Sequence, residues 1–112
     1  MASISYNIAQ VQSATSGAET TLVTIPADHE YIGTIRACFA NTAASGTTEY
    51  SINVTTAGSG TTAGYIAKDI DASHQDPPDD YSIALPAGYK VYVKSTTGEM
   101  SFSFHYQDKD NS

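Results

Sequence analysis

Tryptophan is absent, cysteine occurs once, and Lys and Arg together number five in 112 residues. A lone Cys38 excludes an internal disulfide. It stands between Ala37 and Phe39, where it reads as a small buried hydrophobe; a thiol nucleophile and an intersubunit disulfide are the alternatives. Five basic residues against twelve acidic ones leave a formal charge of −7, with no Lys/Arg cluster. Such a chain repels phosphate backbones, so nucleic acid is not an expected partner. No stretch approaches the roughly 18 apolar residues of a membrane helix. Met1 to Tyr6 carries neither a basic region nor a signal-like apolar run, which leads us to expect a soluble product of the cytoplasm.

The aromatics present are three Phe and eight Tyr. Tyrosine has an apolar body and a polar tip, so it suits half-buried faces and subunit contacts better than a dry core. The length predicts one domain spanning residues 1–112, burying only about two-thirds of its unfolded surface. A thin core is a physical reason to expect help from neighbouring subunits.

Period-two alternation dominates the chain. Ile4, Tyr6 and Ile8 alternate with Ser3, Ser5 and Asn7; Tyr50, Ile52 and Val54 with Ser51, Asn53 and Thr55. Tyr89, Val91 and Val93 alternate with Lys90, Tyr92 and Lys94; Met100, Phe102, Phe104 and Tyr106 with Ser101, Ser103 and His105. Successive strand side chains point to opposite faces, so each segment is predicted to have one buried and one wet side. Thr20 to Ile25 is a short β-branched strand stopped by Pro26. Tyr31 to Ala40 is apolar on both faces except at Thr34 and Arg36, which predicts a strand covered on both sides. Tyr65 to Ile70 and Asp80 to Leu85 are weaker strands, with a helix over residues 65–74 as the competing reading of the first.

Turn-forming clusters separate these segments at Ser13 to Gly17, Asn41 to Gly46, Ala57 to Gly64, Ser73 to Asp79 and Thr96 to Gly98. Two corners look alike, Ile25-Pro26-Ala27 and Leu85-Pro86-Ala87-Gly88. The predicted fold is all-β: a single-domain antiparallel β-sandwich or jelly roll of about seven to eight short strands.

The sequence marks no constellation for chemistry. The glycines of residues 57–64 are spaced G-x-G-x-x-x-G, one residue off a dinucleotide fingerprint, and read as a loop tip. Asp69 to Asp80 holds five of the eight Asp residues, but a calcium loop would want Gly where His74 stands and Glu where Asp80 stands. Pro77-Pro78 also stretches that segment and scatters its carboxylates. His29, His74 and His105 follow no metal-ligand spacing, and His105 shares its polar strand face with Ser101 and Ser103 without a marked third group. Asn53-Val54-Thr55 matches a glycosylation acceptor by coincidence within a strand. We expect no catalytic residues, no cofactor and no metal. Arg36, the only Arg, lies in the most apolar strand and must pair or reach solvent. An intrasubunit salt bridge and an acidic residue of a neighbouring subunit are both open to it. With Tyr31 and Phe39 on the same strand, it forms the candidate interface set.

The order of these pieces resembles the small β-sandwich virion proteins of tailed bacteriophages, which serve as capsid decoration (cement) or tail-associated subunits. The resemblance rests on Thr21-Leu-Val-Thr-Ile-Pro-Ala27, Phe39-Ala-Asn-Thr42 with its small-residue turn to Thr47, and Tyr50-Ser-Ile-Asn-Val54. It continues through Ile83-Ala-Leu-Pro-Ala-Gly-Tyr-Lys-Val-Tyr-Val-Lys94 and the strand of residues 100–106. It implies a structural protein of the virion that binds itself, as a trimer in a lattice-capping role, and binds a major capsid protein. A tail or baseplate subunit is the alternative, as is a carbohydrate- or receptor-binding tip using Tyr65, Tyr81 and the acidic loop.

Overall fold

β-Branched and aromatic residues in alternation, broken by Gly, Pro, Asn and Asp, leave the backbone little choice but strands joined by turns. The computed structural model describes residues 3–12, 18–39, 47–58, 60, 64–73, 76–97 and 100–112. Those residues form β1 (Ser3–Gln12), β2 (Thr20–Thr24), β3 (His29–Phe39), β4 (Thr47–Thr55), β5 (Tyr65–Ser73), β6 (Asp79–Leu85), β7 (Lys90–Ser95) and β8 (Met100–Asp110). The clusters at residues 13–17 and 41–46, much of the glycine-rich segment and His74 lie outside the described residues.

Two four-stranded antiparallel sheets result, ordered β1-β8-β3-β6 and β2-β7-β4-β5. Strand β1 pairs with β8, β2 with β7, β3 with β6 and β4 with β5. A long antiparallel ribbon folded back on itself gives this wiring, and it is the jelly roll among the sandwiches the sequence allowed. Ile25, Ile35, Ile52, Leu85, Val91, Val93, Met100, Phe102 and Phe104 interdigitate between the sheets at 2 % exposure or less.

The two proline corners are one structure used twice. His29 N donates to Pro26 O at 3.2 Å and Tyr89 N to Pro86 O at 3.4 Å. The third residue of each turn has positive φ: Asp28 at 65° and Gly88 at 90°. Asp and Gly are the types that tolerate this conformation. The corners also bond each other, Ile25 N to Tyr89 O at 2.9 Å and Gly88 N to Ile25 O at 3.0 Å.

Residues 65–73 are a strand, and its irregularity explains the competing helical reading. The β4–β5 register shifts near Ile52, and Asp69 takes φ 51°. A bulge moves the inward set from odd to even positions, so Ala67 is buried before it and Ala72 after it. The Ser51 hydroxyl accepts the Asp69 amide proton at 3.0 Å.

Strand β3 differs from expectation on one side. It lies between β8 and β6, with Tyr31, Ile35 and Ala37 in the core, but Ile32 on the other face is 43 % exposed and Arg36 is exposed. Among the described residues nothing covers that outer face. Cys38, expected to be buried, lies there half-exposed. Gly33 has no room for a side chain: a Cβ would stand 2.0 Å from the His105 carbonyl oxygen and 2.6 Å from Tyr106 Cα. The bare backbone lets β8 approach closely, and Tyr106 stacks on Tyr31 with ring centroids 4.2 Å apart.

Candidate functional site

Strand β1 switches the side on which its apolar residues fall. Apolar residues occupy positions 4, 6 and 8, then 9 and 11. Register decides which set is buried. Ala9 faces Phe104 and Val11 faces Phe102, both core residues of β8, so the odd positions point inward. Ile4, Tyr6 and Ile8 therefore point to solvent, at 58 %, 81 % and 58 % exposure. The predicted one-buried, one-wet pattern does not hold here: the apolar residues of residues 3–8 are on the open side. Ser5 and Asn7, on the other side, are exposed too.

The outward residues form one face across three strands. Ile4, Tyr6 and Ile8 lie opposite Lys109, Gln107 and His105 of β8, and Gln107 lies opposite Ile32 of β3. Gln107 Nε2 donates to the Tyr6 hydroxyl at 3.3 Å, holding the ring over the sheet. Tyr6, Ile8, Ile32, His105 and Gln107 line a shallow groove of about 720 Å³. Clustered large apolar side chains on a soluble domain mark interaction surfaces, whereas single ones need no explanation.

The same strand is the free margin of its sheet. Among the described residues strand β1 pairs with β8 alone; it has ten residues and contains no charge and no proline. Edge strands are normally kept short, charged or interrupted, because their unpaired N–H and C=O groups invite another strand. None of those protections is present in β1.

The residues singled out from the sequence fall elsewhere. Tyr31 is 7 % exposed and inside the sandwich, and Phe39 is half-buried against the core. Arg36 does lie on the outer face, where Nε and Nη2 reach the two Asp80 carboxylate oxygens at 2.8 and 3.1 Å. That bidentate bond holds the Asp80 carboxyl below its ordinary range and raises the Arg36 guanidinium further. Beside it, Ser103 Oγ and His105 Nε2 are 3.2 Å apart. A hydrolytic triad would need an acid orienting the imidazole, and Asp80 is engaged by Arg36 instead.

The acidic segment is dispersed rather than convergent. Asp76 Oδ2 accepts from Ser73 N at 2.9 Å, Asp79 Oδ2 accepts from the Tyr50 hydroxyl at 2.6 Å, and Asp80 holds Arg36. Among the described residues no group of three or more His, Cys, Asp or Glu is placed to share a metal ion. Tyr81 is half-buried with its hydroxyl on that of Tyr50, and Tyr65 is half-buried with Lys68 Nζ 5.5 Å from its ring centroid. Asn53 of the glycosylation match is 1 % exposed.

One cluster escaped the sequence reading. His29 Nδ1 lies 2.7 Å from Asp108 Oδ1, and its Nε2 lies 3.6 Å from Asp110 Oδ1. The hydrogen bond to Asp108, opposed by burial and helped by the charges of Asp108, Asp110 and Asp28, raises the imidazole above its usual value. His29 and Asp110 are 81 positions apart in sequence and meet only because β3 pairs with β8.

The sequence signal for the outer-face patch was the phase reversal at Ile8–Ala9: in a strand without a bulge a change of parity puts one apolar stretch on each face, and the register decides which is outside. No family model matches the chain, and neither a curated protein nor a solved structure does.

Proposed function

We propose that this protein is a structural subunit of a bacteriophage virion, most economically a capsid decoration (cement) protein, which works by packing against itself and against capsid protein. The observation that carries the reading is the exposed apolar face of Ile4, Tyr6, Ile8 and Ile32 beside the unprotected β1 edge. Leaving such a face in water costs roughly 25 cal/mol per Å² relative to covering it, which favours a partner. The jelly-roll wiring supports the reading by analogy only, since that architecture recurs in viral capsids and in lectins.

A decoration subunit binds empty, expanded capsids saturably and raises their resistance to heat. Tyr6→Lys should abolish that binding while leaving the far-UV spectrum unchanged, because the Tyr6 side chain is 81 % exposed. Failure of the unaltered protein to bind such capsids in native salt would overturn the decoration role and leave the tail or baseplate role to be tried on tail structures.

The carbohydrate-tip reading now rests on Tyr6, flanked by Gln107 and His105, because Tyr65 and Tyr81 are half-buried. A glycan array with the unaltered protein and Tyr6→Ala tests it, and a blank array removes it.

A further inference from the structure

We infer that the partner of the β1 edge is a second copy of the same strand, paired antiparallel about a two-fold axis centred on Tyr6. This rests on the packing role above and makes it specific. The run Ile4-Ser5-Tyr6-Asn7-Ile8 has the same character read in either direction: apolar, polar, aromatic, polar, apolar. In an antiparallel pair centred on Tyr6, residue numbers opposite each other sum to 12, so Ile4 meets Ile8 of the other copy, Tyr6 meets Tyr6, and Ser5 meets Asn7. A two-fold perpendicular to the sheet keeps each face on its own side. The two apolar stretches then join into one face, and the two β1-β8-β3-β6 sheets become one sheet of eight strands.

Charge favours this occupant at this place. Two molecules of formal charge −7 repel wherever acidic surfaces meet. Strand β1 carries no charge, and the β8 residues behind Ile4 and Ile8 are Lys109 and His105. Asp108 and Asp110 lie behind Ser5 and Ser3 on the opposite face, beside His29, so the strand itself meets its copy without facing charges. Cross-strand apolar and aromatic pairs each add roughly 0.2–1 kcal/mol to such a ladder.

The contact is small. About seven paired residues at roughly 3.4 Å each give a strip ~24 Å long, burying on the order of 700 Å² over both copies. That is below the roughly 1,000 Å² of a stable interface, so the isolated dimer is weak and gains strength where subunits are concentrated on a larger assembly. Being isologous, the contact closes on itself and does not propagate into a fibre through β1.

Disulfide trapping of the full chain in a Cys38→Ser background tests the register. Opposed residues of an antiparallel pair have Cα atoms about 4.5–5.5 Å apart, within disulfide reach. Tyr6→Cys is expected to give a covalent dimer on mild oxidation. Ile4→Cys alone is expected to stay monomeric, and a mixture of Ile4→Cys with Ile8→Cys to give the crossed heterodimer. Sedimentation of the cysteine-free chain is expected to show reversible dimers, with Tyr6→Lys raising the dissociation constant on the order of 100-fold by setting two cations face to face. A chain that stays monomeric at millimolar concentration overturns the inference, as does trapping of Ile4→Cys with itself in preference to Ile8→Cys. A monomer that still binds capsids through Tyr6 would overturn the self-pairing and leave the packing role standing. A trapped dimer that binds no capsid would do the reverse.

Discussion

Replacing Tyr50 by Phe should cost about 2 kcal/mol of folding stability, a large fraction of what a small domain has. Tyr50 stands on β4, in one sheet, at 1 % exposure. Its hydroxyl donates to Asp79 Oδ2 at 2.6 Å and shares a hydrogen bond with the Tyr81 hydroxyl, both on β6 of the other sheet. The ring itself packs edge-on against Phe102 at 5.9 Å, a contact Phe would keep. The substitution therefore isolates the polar tie between the sheets. A hydrogen bond to a charged acceptor is worth about 1.5–3 kcal/mol, and half-exposure of Asp79 lets water recover part of it. With an unfolding entropy near 2.1 cal/mol/K per residue over 112 residues, about 2 kcal/mol lowers the melting temperature by ~8 °C. Without tryptophan the transition is best followed by far-UV circular dichroism in urea, where the midpoint should fall and the slope stay constant. Tyr81→Phe alone and the double variant complete a cycle, with a coupling of about 0.5–3 kcal/mol expected between touching groups. A loss below about 0.5 kcal/mol for Tyr50→Phe, or a coupling of zero, would refute the claim that this hydroxyl ties the sheets.

Gly33→Ala should lower stability by at least about 3 kcal/mol, since the new methyl would overlap the His105 carbonyl and the two backbones would have to part. Gly58→Ala, which meets nothing within 4 Å, is the control, and equal melting temperatures for the two would sink the argument. The raised His29 value makes its contribution fully present below the unfolded value of about 6.5 and lost as pH rises through the higher folded value. Urea midpoints of the native chain should therefore fall relative to His29→Gln as pH rises above about 6.5; a relative rise would contradict the pairing with Asp108. The lowered Asp80 and Asp110 act oppositely. Arg36 holds the first and Ser112 the second, so their contributions are present above the ordinary carboxylate range and vanish as pH falls through the lowered values. Arg36→Gln should flatten the Asp80 part of that acid limb.

Strand identity was legible because alternation is a local property, and residues 50–54, 90–94 and 100–106 are strands. Only the last keeps one buried and one wetter face: Ser51, Asn53 and Tyr92, on the sides of β4 and β7 expected to be wet, are buried as well. The proline corners were legible for the same reason: a Pro that ends a ladder and a residue that accepts positive φ act within four positions. The bulge at Asp69 obscured β5, because one extra residue makes a strand's apolar spacing imitate that of a helix. The jelly-roll order could not be read along the chain, since it depends on pairing β1 with β8 and β3 with both β6 and β8 across long separations.

The exposed face belongs to both levels. The sequence by itself determined that Ile4, Tyr6 and Ile8 share one side of a strand while Ala9 and Val11 share the other. Only the tertiary structure decided which side is wet, because Phe102 and Phe104 fix the register and draw the smaller pair inward. Likewise Arg36 had to find an acid or solvent, and the β3–β6 register, placing Arg36 opposite Asp80, selected the acid. Composition and alternation set what each segment can bury; the register of distant strands, which no local pattern encodes, sets what it does bury.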